Sequence, residues 1–197
     1  MKKFKALAFI ALTLIIIGCG SSGPKKALDE IAAALQENDP SSFLARIDLD
    51  AYANNSLTAM TSSNAVYDSL NSLSGMLGLG NLDQMINSVI DYKAIIKKEL
   101  AQGVASGELK LQCAQGSQIN CPWTPQALRD AQIIELNTNA AIAKVTTQAQ
   151  LTSWLALRKN GENWQVVGQT LYEADARKLA LAQPVPAKEP EPQAKSI

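Results

Sequence analysis

The sequence predicts an α+β fold in which amino-terminal helices pack on a twisted antiparallel meander sheet. Apolar residues recur at helical spacing through the first half of the chain. After Gly107 the period drops to two, and the later segments are joined by turns too short to hold crossover helices, so their strands must run antiparallel. With 197 residues, 47% of them hydrophobic, the chain supports one packed domain of ordinary size.

Residues 1–5 are basic, with Lys2, Lys3 and Lys5, and residues 6–17 are apolar apart from Thr13. A helix of that length rises about 18 Å, well short of the roughly 30 Å hydrocarbon core of a bilayer. Residues 1–18 therefore read as a signal peptide and not as a transmembrane helix. The peptide ends in Ile16-Ile17-Gly18-Cys19, with an aliphatic residue three positions before the cysteine and a small one directly before it. This tetrapeptide resembles the lipobox of bacterial lipoproteins. The resemblance implies cleavage before Cys19 and lipid attachment there, as a diacylglyceryl thioether with an amine-linked acyl chain such as palmitate. Two or three chains at roughly 0.8 kcal/mol per buried methylene make such an anchor effectively permanent. A plain secretory signal with a chance cysteine is the alternative. Gly20 stands where an Asp would retain a lipoprotein at the inner membrane in enterobacterial-type sorting, so the expected location is the periplasmic face of the outer membrane. Residues 19–23 would form the lipidated cysteine and a tether, and five residues at about 3.5 Å each reach about 17 Å.

A helix is predicted from Pro24, suited to a first turn, through Ala27, Leu28, Ile31, Ala34 and Leu35, with Asn38-Asp39-Pro40 stopping it. Asp39-Pro40 also reads as an N-cap and first-turn proline for a short second helix through Phe43, Leu44 and Ile47, so the two should pack as a hairpin. Between residues 54 and 90 only Asp68 and Asp83 are charged. Val66, Leu70, Leu73 and Leu77 mark one helical stripe; Met85, Ile86, Val89, Ile90, Ala94 and Ile95 mark another, with glycines at 75–80 between them. Lys97-Lys98 and Gly103 close the second stripe. The stretch reads as core-facing helix or as an apolar flap over a ligand cavity or a membrane.

Leu109, Leu111 and Cys113 alternate with Glu108, Lys110 and Gln112, which predicts a strand. With Cys19 taken by lipid, Cys113 and Cys121 remain, flanking a polar segment at 114–120. In an oxidising periplasm they are expected to form a disulfide. Closing a loop of about nine residues stabilises by about 2.5 kcal/mol in the chain-entropy model. A zinc site is the alternative, but two thiolates without histidine leave it short of ligands. The turn-rich Cys121-Pro122-Trp123-Thr124-Pro125 leads into a hairpin of Gln132–Asn137 with 141–148, turning at Thr138-Asn139. A second hairpin pairs 151–158 with 162–172 about Asn160-Gly161, the strongest two-residue turn signal in the chain. On its last strand Trp164, Val166, Gly168, Thr170 and Tyr172 are expected to share a face. A short helix at 174–182 closes the domain, which spans 24–182. Residues 183–197 hold Pro184, Pro186, Pro190 and Pro192 among Ala, Lys, Glu and Gln, and predict a disordered, partly polyproline tail, either simply solvated or docking a periplasmic partner.

The run A-L-D-E-I-A-A-A-L-Q-E-N-D-P-S-S-F at 27–43, the hairpin L-A-L-R-K-N-G-E-N-W-Q-V-V at 155–167 and the order of elements resemble the nuclear transport factor 2-like, or cystatin-like, superfamily, above all its bacterial lipoprotein branches. The resemblance covers roughly 24–182 and implies a cone-shaped fold whose open end binds ligand. The long helical stretch at 54–100 and the cysteine pair depart from the minimal superfamily pattern. Enzymes of that superfamily hold acids, bases and tyrosines in an apolar cone, which marks Asp48, Asp50, Tyr52, Tyr92, Glu135 and Tyr172. There a carboxylate of raised pKa would act as base and a tyrosine hydroxyl would stabilise an oxyanion. No spacing singles out a pair, and Asp48-Leu49-Asp50 reads equally as a solvated helix end. Trp154 and Trp164, on adjacent predicted strands, form with Tyr172 the candidate wall of a ligand cavity, or else pack the core.

Composition narrows the function. The chain has no histidine, so it builds no Ser-His-Asp triad, Cys-His pair or His-Glu-x-x-His zinc helix. Loss of residues 1–18 removes three of the 18 basic side chains and none of the 18 acidic ones, a balance that disfavours nucleic acid. The glycines at 75–80 lack the Gly-Lys-Ser/Thr of a phosphate loop, and no acidic cluster has calcium-loop spacing. No metal or other cofactor is expected. The sequence thus predicts a membrane-anchored, non-catalytic module binding an apolar small molecule or an envelope protein. An enzyme using a carboxylate and a tyrosine, and a structural spacer displaying the proline-rich tail, are the alternatives.

Overall fold

The computed structural model describes residues 23–62, 92–117 and 120–182. The expected signal peptide, the lipidated Cys19, the apolar stripe at 66–77, the second stripe up to residue 90 and the tail at 183–197 lie outside the described residues; Ala94 and Ile95, which end the second stripe, are exposed and do not face the core. Among those described, the protein is α+β: helices come first, and four strands in the order β1-β2-β3-β4 form an antiparallel sheet that does not close into a barrel.

Helix α1 (Pro24–Glu37) buries Ala27, Leu28, Ile31 and Leu35 along one face and ends at Asn38, whose left-handed φ of 55° turns the chain away. Helix α2 (Pro40–Ala45) follows at once, because Asp39 Oδ1 accepts the amides of Ser41 at 2.9 Å and Ser42 at 3.2 Å. Helix α3 (Leu49–Ser62) is capped the same way, with the Ala51 amide donating to Asp48 Oδ1 at 3.0 Å. Helix α4 (Tyr92–Ala105) packs against α2 and α3.

The strand expected at 108–113 is instead helix α5 (Glu108–Gln115). Its sequence, ELKLQCAQ, contains no β-branched residue and several good helix formers, so local preference opposes an extended chain. Alternation also hid a helical pair. Leu109 and Cys113, four residues apart, turn toward the core, while Leu111 points away and is 52% exposed. Helix α6 (Pro125–Arg129) then leads into the sheet.

Strands β1 (Gln132–Asn137) and β2 (Ala140–Thr146) turn at Thr138-Asn139 as expected, and β3 (Thr152–Asn160) and β4 (Asn163–Thr170) turn at Gly161, whose φ of +61° the tight turn requires. The free edge of β4 is covered by the α2–α3 link, with Asp48 N donating to Val166 O at 3.0 Å and Val166 N to Arg46 O at 2.9 Å.

The expected single face from Trp164 to Tyr172 is broken by a bulge. Leu157 opposes Val166 but Ala156 opposes Gly168, so Val167 is an extra residue and the facing of the strand changes there. Trp164 and Val166 join the main core with Leu28, Phe43, Leu155 and Leu157. Val167 joins a second core with Ile142, Ala156, Ala176 and Ala180 beneath helix α7 (Glu173–Leu181). Gly168 lies on that side as well: a Cβ there would stand 3.0 Å from Leu179 Cδ1, so glycine lets α7 approach closely. The sheet is therefore covered on both faces, by the first helices over the main core and by α7 over the second.

Candidate functional site

A cleft of about 530 Å³ opens between α3, α4 and α5, with residues 120–123 and the end of β4 as its remaining walls. Its floor is aromatic. Trp123 is only 2% exposed, meets Phe43 edge-on at a centroid distance of 5.2 Å and lies 6.4 Å from the ring of Tyr52. Ile96, Leu100 and Leu109, partly buried against the main core, supply apolar sides.

Polar groups enter from several elements. The Gln169 side chain, at the end of β4, donates from Nε2 to the carbonyl oxygen of Asn120 at 3.1 Å. That bond fixes the orientation of the amide and turns Oε1 the other way; neither it nor Asn120 Oδ1 has a hydrogen-bond partner among the described residues, and both are buried. Glu99 on α4 and Glu108 at the start of α5 also line the cleft, and no lysine or arginine does so among the described residues. Cys121 forms part of the wall, and it lies at disulfide distance from Cys113, with Cα atoms 5.0 Å apart. That pair ties the end of α5 to the segment carrying Asn120 and Trp123.

A groove of about 650 Å³ between the end of α1, α5 and α6 is the larger depression, and it contains two cations. Both serve structure. Lys110 Nζ donates to Leu35 O at 3.0 Å, Gln36 O at 3.3 Å and Asn38 Oδ1 at 2.8 Å, closing the negative end of α1. Arg129 donates to Gln36 Oε1 at 2.7 Å.

The residues expected to wall a ligand cavity are not brought together. Trp154 is half-buried against the second core and Trp164 is buried in the first, on opposite faces of the sheet, because the strand register pairs them with Thr170 and Lys159. Tyr172 is 67% exposed and precedes α7. Of the residues marked for catalysis, only Tyr52 has its side chain placed at the cleft. Asp48 caps α3 and faces Arg158 at 3.7 Å; Asp50 pairs with Lys93 at 2.5 Å on the surface; Glu135 is exposed on β1. Tyr92 opens α4, and its side chain lies outside the described residues. Trp123, Asn120 and Gln169 escaped sequence reasoning, although an aromatic residue between two prolines beside a cysteine was a signal worth weighing.

No family model, no curated protein and no solved structure matches this chain. Its function is therefore read from the cleft. Among the described residues, no group of acidic or cysteine side chains could hold a metal ion, and no helix is long and apolar enough to cross a membrane.

Proposed function

We propose that this protein is a non-catalytic binding module, anchored through Cys19 to the periplasmic face of the outer membrane, that holds a small molecule in the cleft between α3, α4 and α5. The cleft carries this reading: its volume falls within the range of small-molecule sites, and it joins an aromatic floor and apolar sides to a few convergent amides. The lining is partly polar, and the sequence led to an apolar ligand or an envelope protein as the occupant. The non-catalytic part of the reading is supported by the placement of Asp48 and Asp50, which are engaged in a helix cap and a surface ion pair. The anchor rests on the four residues ending at Cys19.

Organic extraction and mass spectrometry of the full-length protein, purified in detergent, test the binding role. A stoichiometric small molecule is expected, and its loss from a Ser56→Trp variant, which fills the cleft from α3, locates it. An empty extract, or an extract unchanged by the tryptophan, sinks the cleft as the site. For the anchor, Cys19→Ser should lower the mass by the lipid and release the protein from membranes. Unchanged mass and fractionation would refute it.

A further inference from the structure

We infer that the cleft selects a ligand with a cationic, hydrogen-bond-donating head on a short apolar body, such as an organic ammonium, and rejects the corresponding organic acid. The inference deepens the reading of the cleft as a binding site and rests on it.

Charge comes first. Glu99 and Glu108 line the cleft, and no described cation accompanies them. Of the nearby cations, Lys110 closes the end of α1 and Lys93 pairs with Asp50, while Lys97 and Lys98 stand on α4 beside Glu99 but do not line the cleft. Glu108 stands in the first turn of α5 and accepts from Gln112 Nε2 at 3.0 Å, so part of its charge answers the helix itself. Glu99 forms no ion pair among the described residues. It is the stronger attractor for a cation.

Hydrogen-bonding capacity points the same way. Asn120 Oδ1 and Gln169 Oε1 are buried acceptors without partners among the described residues, and one of the two N–H donors of the Gln169 amide is already used by the Asn120 carbonyl. Such oxygens are satisfied by a group that donates, and an ammonium only donates. A carboxylate brought to the same place would meet acceptors and two like charges. The apolar sides from Ile96, Leu100 and Leu109 suit a short hydrocarbon body.

Hexylammonium and hexanoate, matched in length and both soluble, are the probes. Binding to the full-length protein in zwitterionic nanodiscs is followed by ligand-observed NMR, with empty nanodiscs as the blank. Hexylammonium should bind about tenfold more tightly than hexanoate, the effect of two exposed carboxylates acting together. Glu99→Gln should cut that preference at least threefold, whereas Glu162→Gln, at the far β3–β4 turn, should leave it unchanged. Equal affinities, a preference for hexanoate, or a preference indifferent to Glu99→Gln would overturn the inference. Hexanoate binding that Ser56→Trp abolishes would do so while leaving the cleft as the site; no binding of either probe together with an empty extract would overturn both.

Discussion

With α1 already ended at Asn38, Asp39 starts α2 with a single carboxylate. Its Oδ2 takes the Ser42 hydroxyl at 2.5 Å while Oδ1 takes two amides. The Ser42 hydroxyl, then the Ser42 amide, hold its pKa below the ordinary aspartate value; slight desolvation opposes them, and the Ser41 amide adds to the lowering. A pKa lowered by folding means that the folded state binds the proton less readily than the unfolded chain. The stability contributed is therefore present above the ordinary value of about 3.9 and lost as pH falls through the depressed one. A carboxyl NMR titration should place the Asp39 midpoint below that of a free aspartate, and Ser42→Ala should move it back up. An unmoved midpoint would show that the hydroxyl is not the main cause. Gly168 is the second sensitive residue. Gly168→Ala puts a methyl 3.0 Å from Leu179 Cδ1 and 3.5 Å from Asn55, and should cost about 1–2 kcal/mol in urea unfolding through overpacking under α7. An unchanged midpoint would mean that α7 yields without strain.

At the scale of elements, α5 shows how a short segment is decided. Eight residues cannot sustain a helix in water by propensity alone. Packing of Leu109 and Cys113 on the core, the reach of Lys110 to the end of α1, and the Cys113–Cys121 tie together hold it. Replacing both cysteines by alanine should lower stability by about 2.5 kcal/mol, the loop-closure value for about nine residues. Amide hydrogen exchange should quicken most in α5 and at Asn120. Loss spread evenly over the sheet would place the role of the pair elsewhere. Strand β4 makes the complementary point. One extra residue, Val167, turns a strand expected to show one alternating face into one that serves two cores, Trp164 and Val166 on one side and Gly168 on the other.

For the whole molecule, two rulers place the cleft relative to the chain entrance. Gly23 and Lys26 border the same small recess as Glu162, Asn163 and Trp164, so α1 begins beside the β3–β4 turn. Helix α1 runs 14 residues, about 20 Å at about 1.5 Å each, before its end meets Lys110 of α5. Strand β4 covers about 20 Å between Asn163 and Gln169 at about 3.3 Å per residue. Both lead from Gly23 to the cleft at the far end. If the protein is tethered at Cys19, the cleft faces water. A Gln102→Cys label site on the cleft rim should then react with a membrane-impermeant maleimide at similar rates in proteoliposomes and in the soluble Cys19→Ser form. Tenfold protection in proteoliposomes would turn the cleft toward lipid.

Local rules made the helix ends and the hairpins legible. Asp39-Pro40 starts a helix because a side-chain oxygen satisfies free amides within three residues, and the second hairpin turns at Gly161-Glu162, one residue on from the expected Asn160-Gly161, because glycine accepts a positive φ. By itself, the sequence determined the α+β order and, to within one residue, where both β-hairpins turn, and it marked Cys113 and Cys121 as a pair, which the structure brings to disulfide distance. Only the tertiary structure decided that 108–115 is helical, that Trp154 and Trp164 part company, and that Trp123, Asn120 and Gln169 meet at a cleft. The first depends on the packing of Leu109 and Cys113 against the core, the second on the register that sets Trp164 opposite Lys159, five positions from Trp154, and the third on contacts between residues dozens of positions apart.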